Sequence, residues 1–436
     1  MDTVIIDTIK ELNEFIKKSV SPFHTVKAAA GEFSQHGFQE LELGSKWEIV
    51  RGGKYFVKIF GSSIAAFTIG QNETDCDGLR IAAAHTDFPC FKIKPLADIF
   101  ENGYHKLNTE VYGGPILNTW LDRPLSIAGR VVLKGGDCFL AKEVYADFKS
   151  PVLIIPNLAI HMNKNVNKGL ELNRQKDMLP LADAAAAMVK ESMESADLMS
   201  ELSKLIDVDT EEILDYELYV YQCEEGTVSG FNGTLFSSPR LDNITSVKAC
   251  TDALINAGVR NGGINAAVFY DNEEIGSRTK QGAASNVFSM ILEKIYLSLG
   301  KSREDFINGI INGTAVSVDV AHAVHPDSPE KNDITNKPVL NGGTVIKLAA
   351  SQTYANDALA SAMIKTLAEK SGTKCQTFVN RSDMPGGSTL GAISSAVLPM
   401  RTIDIGVPVL AMHSARETMG IYDQENIKKL LTCYFS

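Results

Sequence analysis

Phe269-Tyr270-Asp271-Asn272-Glu273-Glu274-Ile275-Gly276-Ser277 decides the fold of this 436-residue chain. The apolar run Ile264 to Tyr270 ends abruptly in three carboxylates and a glycine, the pattern of a buried strand that delivers acids to its own C-terminal tip. Open α/β sheets bind ligands at the carboxyl ends of their strands. Adjacent acids at such a place are costly unless a cation or water neutralises them. Alone, the run fits a solvated Glu-Glu loop better; what shifts the balance is that four other segments end in a similar way.

Leu79 to Ala84 is a short apolar run that ends in His85-Thr86-Asp87. A histidine at a strand tip with an acid two residues on suits metal ligation, because the carboxylate can accept the ring's other N–H and set the tautomer. A capped structural histidine is the competing reading. Asp242, in Ser237-Ser238-Pro239-Arg240-Leu241-Asp242-Asn243, lies just before a helix marked by Val247, Cys250, Leu254 and Ala257, where N-capping is its ordinary role. Thr314 to Val320 alternates as a strand and carries Asp319 near its end, and the core strand Thr402 to Val409 leads to His413. Together these tips offer His85, Asp242, Glu273, Glu274, Asp319 and His413. Two imidazoles with carboxylates and no thiolate suit zinc, cobalt or manganese better than copper or an iron–sulfur cluster. A two-metal hydrolytic site needs one bridging carboxylate, about two terminal ligands per ion and a base, and six residues fill those places. Adjacent glutamates on an extended strand point to opposite sides, so only a turn of the backbone at the tip brings both to one metal.

The totals set the frame. With 44% hydrophobic and 22% charged residues, the chain can bury a large core, and its length predicts two domains. A net charge of −11 without a long basic block argues against nucleic acid or an anionic membrane as partner. Seven scattered cysteines never form Cys-x-x-Cys, which argues against a disulfide framework or a thiolate zinc site and for a reducing cytoplasm. No export signal or run of about 18 apolar residues is evident. The periodicity predicts an amphipathic helix over residues 3–18, a turn at Ser21-Pro22-Phe23-His24, a strand pair over 54–69, helices over 282–299, 357–367, 390–397 and 424–434, and a strand over 342–350. Between Lys92 and about Ser237 the chain changes character, with Gly-Gly turns, short β-like stretches and an Ala-rich helical patch from Ala182 to Met193. This predicts an inserted β-rich module, residues 93–237, between the two parts, 1–92 and 238–436, of an α/β domain. His161, inside the insert, has no obvious acidic neighbour and reads on its own as structural. The glycine loop Arg381 to Thr389 lacks the Gly-Lys-Ser/Thr ending of a phosphate cradle.

His85-Thr86-Asp87, Ser238-Pro239-Arg240-Leu241-Asp242-Asn243, Tyr270 to Ser277, Ser317-Val318-Asp319 and Met412-His413-Ser414-Ala415-Arg416-Glu417 resemble, in order, the motifs of the aspartyl aminopeptidase family, the M18 metallopeptidases. The resemblance spans almost the whole chain. It implies a catalytic α/β domain with a central mixed sheet flanked by helices, interrupted by a β-rich dimerisation domain. It implies two divalent ions, zinc with cobalt or manganese as alternatives, held by His85 and Asp319, by Glu274 and His413, and by Asp242 as the bridge. Asp87 then orients His85, and Glu273 is the general base that takes a proton from the attacking water. The substrates implied are peptides with a free N-terminus. The implied assembly is a cytoplasmic tetrahedral dodecamer built from dimers, in which His161 reaches a neighbouring subunit's site. Lys347 and Tyr354 match residues that line the substrate pocket of acid-specific members. Thr353 departs from those members, which carry arginine there, and Phe88 stands where serine is usual. Losing one cation beside Lys347 weakens the case for acidic N-terminal residues and leaves broad or neutral specificity open. A catalytically silent peptide-binding shell and a deacylase of non-peptide amides are the remaining alternatives.

Overall fold

All seven residues of the strand Ile264–Tyr270 are buried, so neither of its faces meets solvent and both must be covered by helices. It lies inside a nine-stranded mixed sheet with the order Gln39–Glu40, Lys54–Ile59, Ser63–Ile69, Ile264–Tyr270, Leu79–His85, Thr314–Val318, Arg401–Gly406, Thr344–Leu348 and Cys375–Val379. This computed structural model describes residues 3–73, 78–184, 197–384 and 386–436. Ile264–Tyr270, Leu79–His85, Thr314–Val318 and Arg401–Gly406 run parallel to one another. Tyr270 pairs with His85 and Ser317 with Ala83, so three of these strands end almost level. That alignment puts the acids of three chain segments on one rim.

Alternation along each strand divides the core. Ile81, Ala83, Ala266, Val268 and Tyr270 pack with Phe288, Ile291, Ile295, Phe306 and Leu390 from the helices Val287–Ser298, Arg303–Asn312 and Leu390–Val397. The alternate residues face the other layer. There Phe33 of helix Pro22–Gln35 stacks on Phe56 and Phe269 at 6.3 and 6.5 Å, and Asn265 donates to the Phe435 carbonyl of helix Ile421–Phe435 at 2.6 Å. Each large side chain so buried contributes roughly 1.5–3 kcal/mol.

The chain forms two compact units, one of residues 1–87, 226–412 and 417–436, the other of 88–225 and 413–416. The first holds the nine-stranded sheet and a five-stranded sheet of Thr227–Ser229, Leu235–Ser238, Glu417–Gly420, Pro408–Leu410 and Ala321–His322. The second holds a six-stranded antiparallel sheet of Lys142–Asp147, Leu125–Leu133, Ile213–Gln222, Cys90–Glu101, Tyr104–Tyr112 and Leu181–Ala184. Residues 226–237, read as part of the insert, fall in the first unit because Leu235–Ser238 pairs with Glu417–Gly420.

Ser21 to His24 is the start of a helix rather than a turn. Ser21 caps Pro22–Gln35 by accepting the His24 N–H, and Pro22 fills the first helical position, where its missing N–H costs nothing. The Ala-rich patch begins as a strand, Leu181–Ala184, and residues 185–193 of it lie outside the described residues. No disulfide joins the described cysteines, and no helix among the described residues is long and apolar enough to cross a membrane.

Candidate metal centre

His85 is the last residue of its strand and only 1% exposed. Its Nδ1 lies 3.0 Å from the Asp87 carbonyl oxygen and 3.3 Å from Asp87 Oδ1, both acceptors, so Nδ1 carries the proton. Nε2 is aimed at carboxylates, 3.3 Å from Asp242 Oδ1 and 3.6 Å from Asp319 Oδ1. Burial opposes charge on the ring, but Asp242, Asp319, Asp87 and Glu273 outweigh it and hold the His85 pKa well above its ordinary value. The pocket therefore demands positive charge at Nε2 from a proton or a metal.

The turn needed to bring both glutamates inward is present. Asn272 and Gly276 take positive φ, 64° and 101°, around a single 3-10 turn, Glu273–Ile275. Asp87, fully buried, accepts the Glu273 N–H on Oδ1 and the Glu274 N–H on Oδ2, each at 3.1 Å. One carboxylate thus orients the imidazole and also clamps the turn. His85, Asp242 and Glu274 each present a ligand atom, all within 4.8 Å of one another. Burial pushes the Glu273 carboxyl up to about 8, with Asp319, Asp87 and Asp242 adding to the shift and His85 opposing it.

Asp242 does not cap its helix. Leu241–Ala257 begins from Arg240 at φ 59°, Asp242 has the non-helical angles φ −80° and ψ 108°, and the Asp242–Asn243 peptide is cis. The Asp242 N–H goes to Glu417 Oε2 at 2.9 Å, and Asn243 Nδ2 donates to the Val318 carbonyl at 3.0 Å. These bonds tie the turn to two neighbouring segments. Asp319, just past the strand end, accepts from Lys347 Nζ at 3.0 Å on Oδ2. Five carboxylates, Asp87, Asp242, Glu273, Glu274 and Asp319, and the Nε2 of one imidazole fit hard or borderline divalent ions.

The remaining expected residues have other surroundings. Lys347 and Tyr354 are 2% and 4% exposed, with the ammonium 5.3 Å from the centre of the Tyr354 ring. His161 is exposed in the second unit. His413 also belongs to that unit, where it has φ 67° and Nδ1 3.1 Å from the Gly114 carbonyl oxygen, which puts the proton on Nδ1. Sequence reasoning missed Glu417, the acceptor for Asp242, and Asp404, fully buried in Arg401–Gly406. An acid inside the apolar run Thr402-Ile403-Asp404-Ile405 was the available signal.

Residues 15–435 match the family model described as aminopeptidase I zinc metalloprotease (M18). The chain is 47% identical over 415 residues to a probable M18 family aminopeptidase 2 of Clostridium novyi (strain NT), covering 95% of each. Its fold superposes on a chain of the structure described as "Cryo-EM structure of the Ape4 and Nbr1 complex", with a TM-score of 0.94 at 34% identity over 99% of this chain and 86% of that one. It superposes on the "S. cerevesiae mApe1 dodecamer" with a TM-score of 0.84 at 27% identity over 98% and 95% of the two chains. A zinc-peptidase family model across nearly the whole length, curated relatives and matching folds together show that this chain belongs to the M18 family of metallo-aminopeptidases.

Proposed function

We propose that the enzyme works with two divalent metal ions, zinc in the first instance, and removes neutral or varied residues from peptide N-termini. The observation that carries the two-ion reading is the donor set: His85, Asp242 and Glu274 present ligand atoms within 4.8 Å of one another, and Asp319 Oδ1 lies 3.6 Å from the same His85 Nε2, more oxygen donors than one ion needs. His85 and Asp319 would hold one ion, Glu274 and His413 the other, and Asp242 would bridge them. His413, with its proton on Nδ1, has the tautomer that suits ligation through Nε2. When bound, such ions polarise the scissile carbonyl and acidify water.

The chain's own groups do the rest. Asp87 holds the imidazole and the glutamate turn in place. Glu273 takes a proton from the attacking water and delivers it to the leaving amine; it lies on the turn that Asp87 clamps, beside the proposed ligand Glu274. Lys347 is buried and donates to Asp319 and to the Val320 carbonyl, each at 3.0 Å, so its charge is already engaged. That favours broad or neutral specificity over selection for acidic residues, which needs a cation left for the substrate.

Supporting a homododecamer built from dimers is the likeness to a structure described as a dodecamer. In that assembly the β-rich unit would make the dimer contacts and the exposed His161 would reach a partner's site. A cytoplasmic location agrees with the scattered cysteines.

Hydrolysis of a panel of aminoacyl anilides, with and without chelator, tests the reading, together with metal counting on Glu273→Gln. We expect cleavage that chelator abolishes, neutral residues cleaved at least as well as Asp or Glu, and a variant that keeps its metal but loses turnover by 100-fold or more, on the order of general-base catalysis. Full activity in Glu273→Gln, or cleavage confined to Asp and Glu, would refute the base or the specificity respectively.

A further inference from the structure

Asp404 is a fully buried carboxylate in the middle of the sheet, unused in the chemistry above. It sits directly across the antiparallel pairing of Arg401–Gly406 with Thr344–Leu348 from Lys347, its register partner. Lys347 in turn reaches Asp319 Oδ2 and the Val320 carbonyl. A carboxylate in this place is costly unless its charge is answered. Asp404 Oδ2 accepts the Ala355 N–H at 2.5 Å, and the first turn of helix Leu390–Val397 lies against it. That approach is close enough that a Cβ on Gly391 would stand 2.6 and 2.7 Å from the two carboxylate oxygens. The fold has left out a side chain to make room for this acid.

We infer that Asp404 is a positioning residue for the metal centre: it balances the Lys347 ammonium, so that Lys347 orients Asp319 without competing with a metal for it. The physical reason is electrostatic. An ammonium 3.0 Å from Asp319 draws electron density from the oxygens that a metal would use. Asp404, the register partner of Lys347, sets a second carboxylate against that ammonium, divides its attraction and restores the negative potential that a cation needs. The inference rests on the proposed role of Asp319 as a ligand.

The test compares zinc affinity, by chelator competition on the full-length protein, among wild type, Asp404→Asn, the double variant Asp404→Asn/Lys347→Gln, and Asp319→Asn. Asn keeps the shape and can still accept from Ala355, so the substitution removes mainly charge. We expect Asp404→Asn to weaken one zinc site about tenfold, as loss of an outer group does, and the added Lys347→Gln to recover most of that loss by restoring the net charge. A residue that mattered only for packing would lower the melting temperature without changing zinc affinity, and removal of a second buried group would worsen it. Unchanged affinity in Asp404→Asn, or no recovery in the double variant, overturns the inference. Should Asp404→Asn not fold, Lys347→Gln alone decides: we expect zinc to bind at least as tightly as in wild type, and weaker binding overturns the inference. If instead Asp319→Asn loses no zinc, the ligand assignment itself is wrong, and the two failures are told apart.

Discussion

Replacing Asp87 with asparagine separates the two jobs of that side chain. In the native protein each carboxylate oxygen accepts one backbone N–H of the glutamate turn, from Glu273 and from Glu274 at 3.1 Å. Asparagine retains one acceptor and turns the other atom into a donor facing a buried N–H. Loss of a hydrogen bond to a charged group costs about 1.5–3 kcal/mol, and the stranded N–H costs a further ~1–3 kcal/mol. The sum, about 2.5–6 kcal/mol, is a large part of the stability of a domain. The His85 ring suffers less, because its 3.0 Å contact is to the main-chain carbonyl of residue 87, which asparagine keeps. The expected result is therefore asymmetric: a lower urea midpoint at unchanged slope and a fall in kcat, with metal content changing less than kcat. Urea titration, metal counting and anilide hydrolysis on one preparation would measure all three. A shift below about 1 kcal/mol with full kcat would refute the clamp. Metal loss that outpaces loss of kcat would show that the side chain acts mainly through His85.

Two further outcomes follow from contacts away from the metal centre. Gly391→Ala puts a methyl group 2.6 Å from Asp404 Oδ2 and 2.7 Å from the Ser317 Cβ, so overpacking of about 1–3 kcal/mol is expected as a lower melting temperature, and an unchanged one would show that the helix start yields freely. In the β-rich unit, burial pushes the Asp98 carboxyl up, but His105 Nε2 at 2.7 Å and the Leu198 N–H at 3.0 Å outweigh it and leave the pKa below the ordinary 3.8. A depressed carboxyl stabilises the fold above its unfolded pKa, and that contribution is lost as pH falls through the folded one. Asp98→Asn should accordingly be less stable than wild type at neutral pH, with the gap in denaturant midpoint closing below about pH 4; a gap that stays constant with pH would refute the assignment.

The short-range features of the chain were legible because they depend on neighbours in sequence. A capped helix such as Ala358–Ser371 behind Asp357, an apolar helix such as Leu390–Val397 and apolar strands such as Ile264–Tyr270 follow from local pattern alone. Residues 21–24 were misread because a serine followed by proline serves equally as a turn and as the first turn of a helix, and only the packing of Phe23 and Phe33 selects the helix. Cys375–Val379, an edge strand with mostly half-buried residues, lacks the strong apolar signal of the central strands.

Among the site residues, which side chains are available is legible along the chain, since acids and histidines that end apolar runs are visible one segment at a time. How they act together is set by folding. The level ends of parallel strands bring His85 to Asp319, more than 230 residues away, and the start of helix Leu241–Ala257 brings Asp242, more than 150 residues away, to the same ring. The backbone turn after Asn272 lets Asp87 hold both glutamates. Lys347, which the family resemblance makes a candidate for the substrate pocket, is buried, donates to Asp319 and is the register partner of Asp404. The cause is that electrostatic partnership falls with distance in space, not along the chain, and sheet register sets those distances.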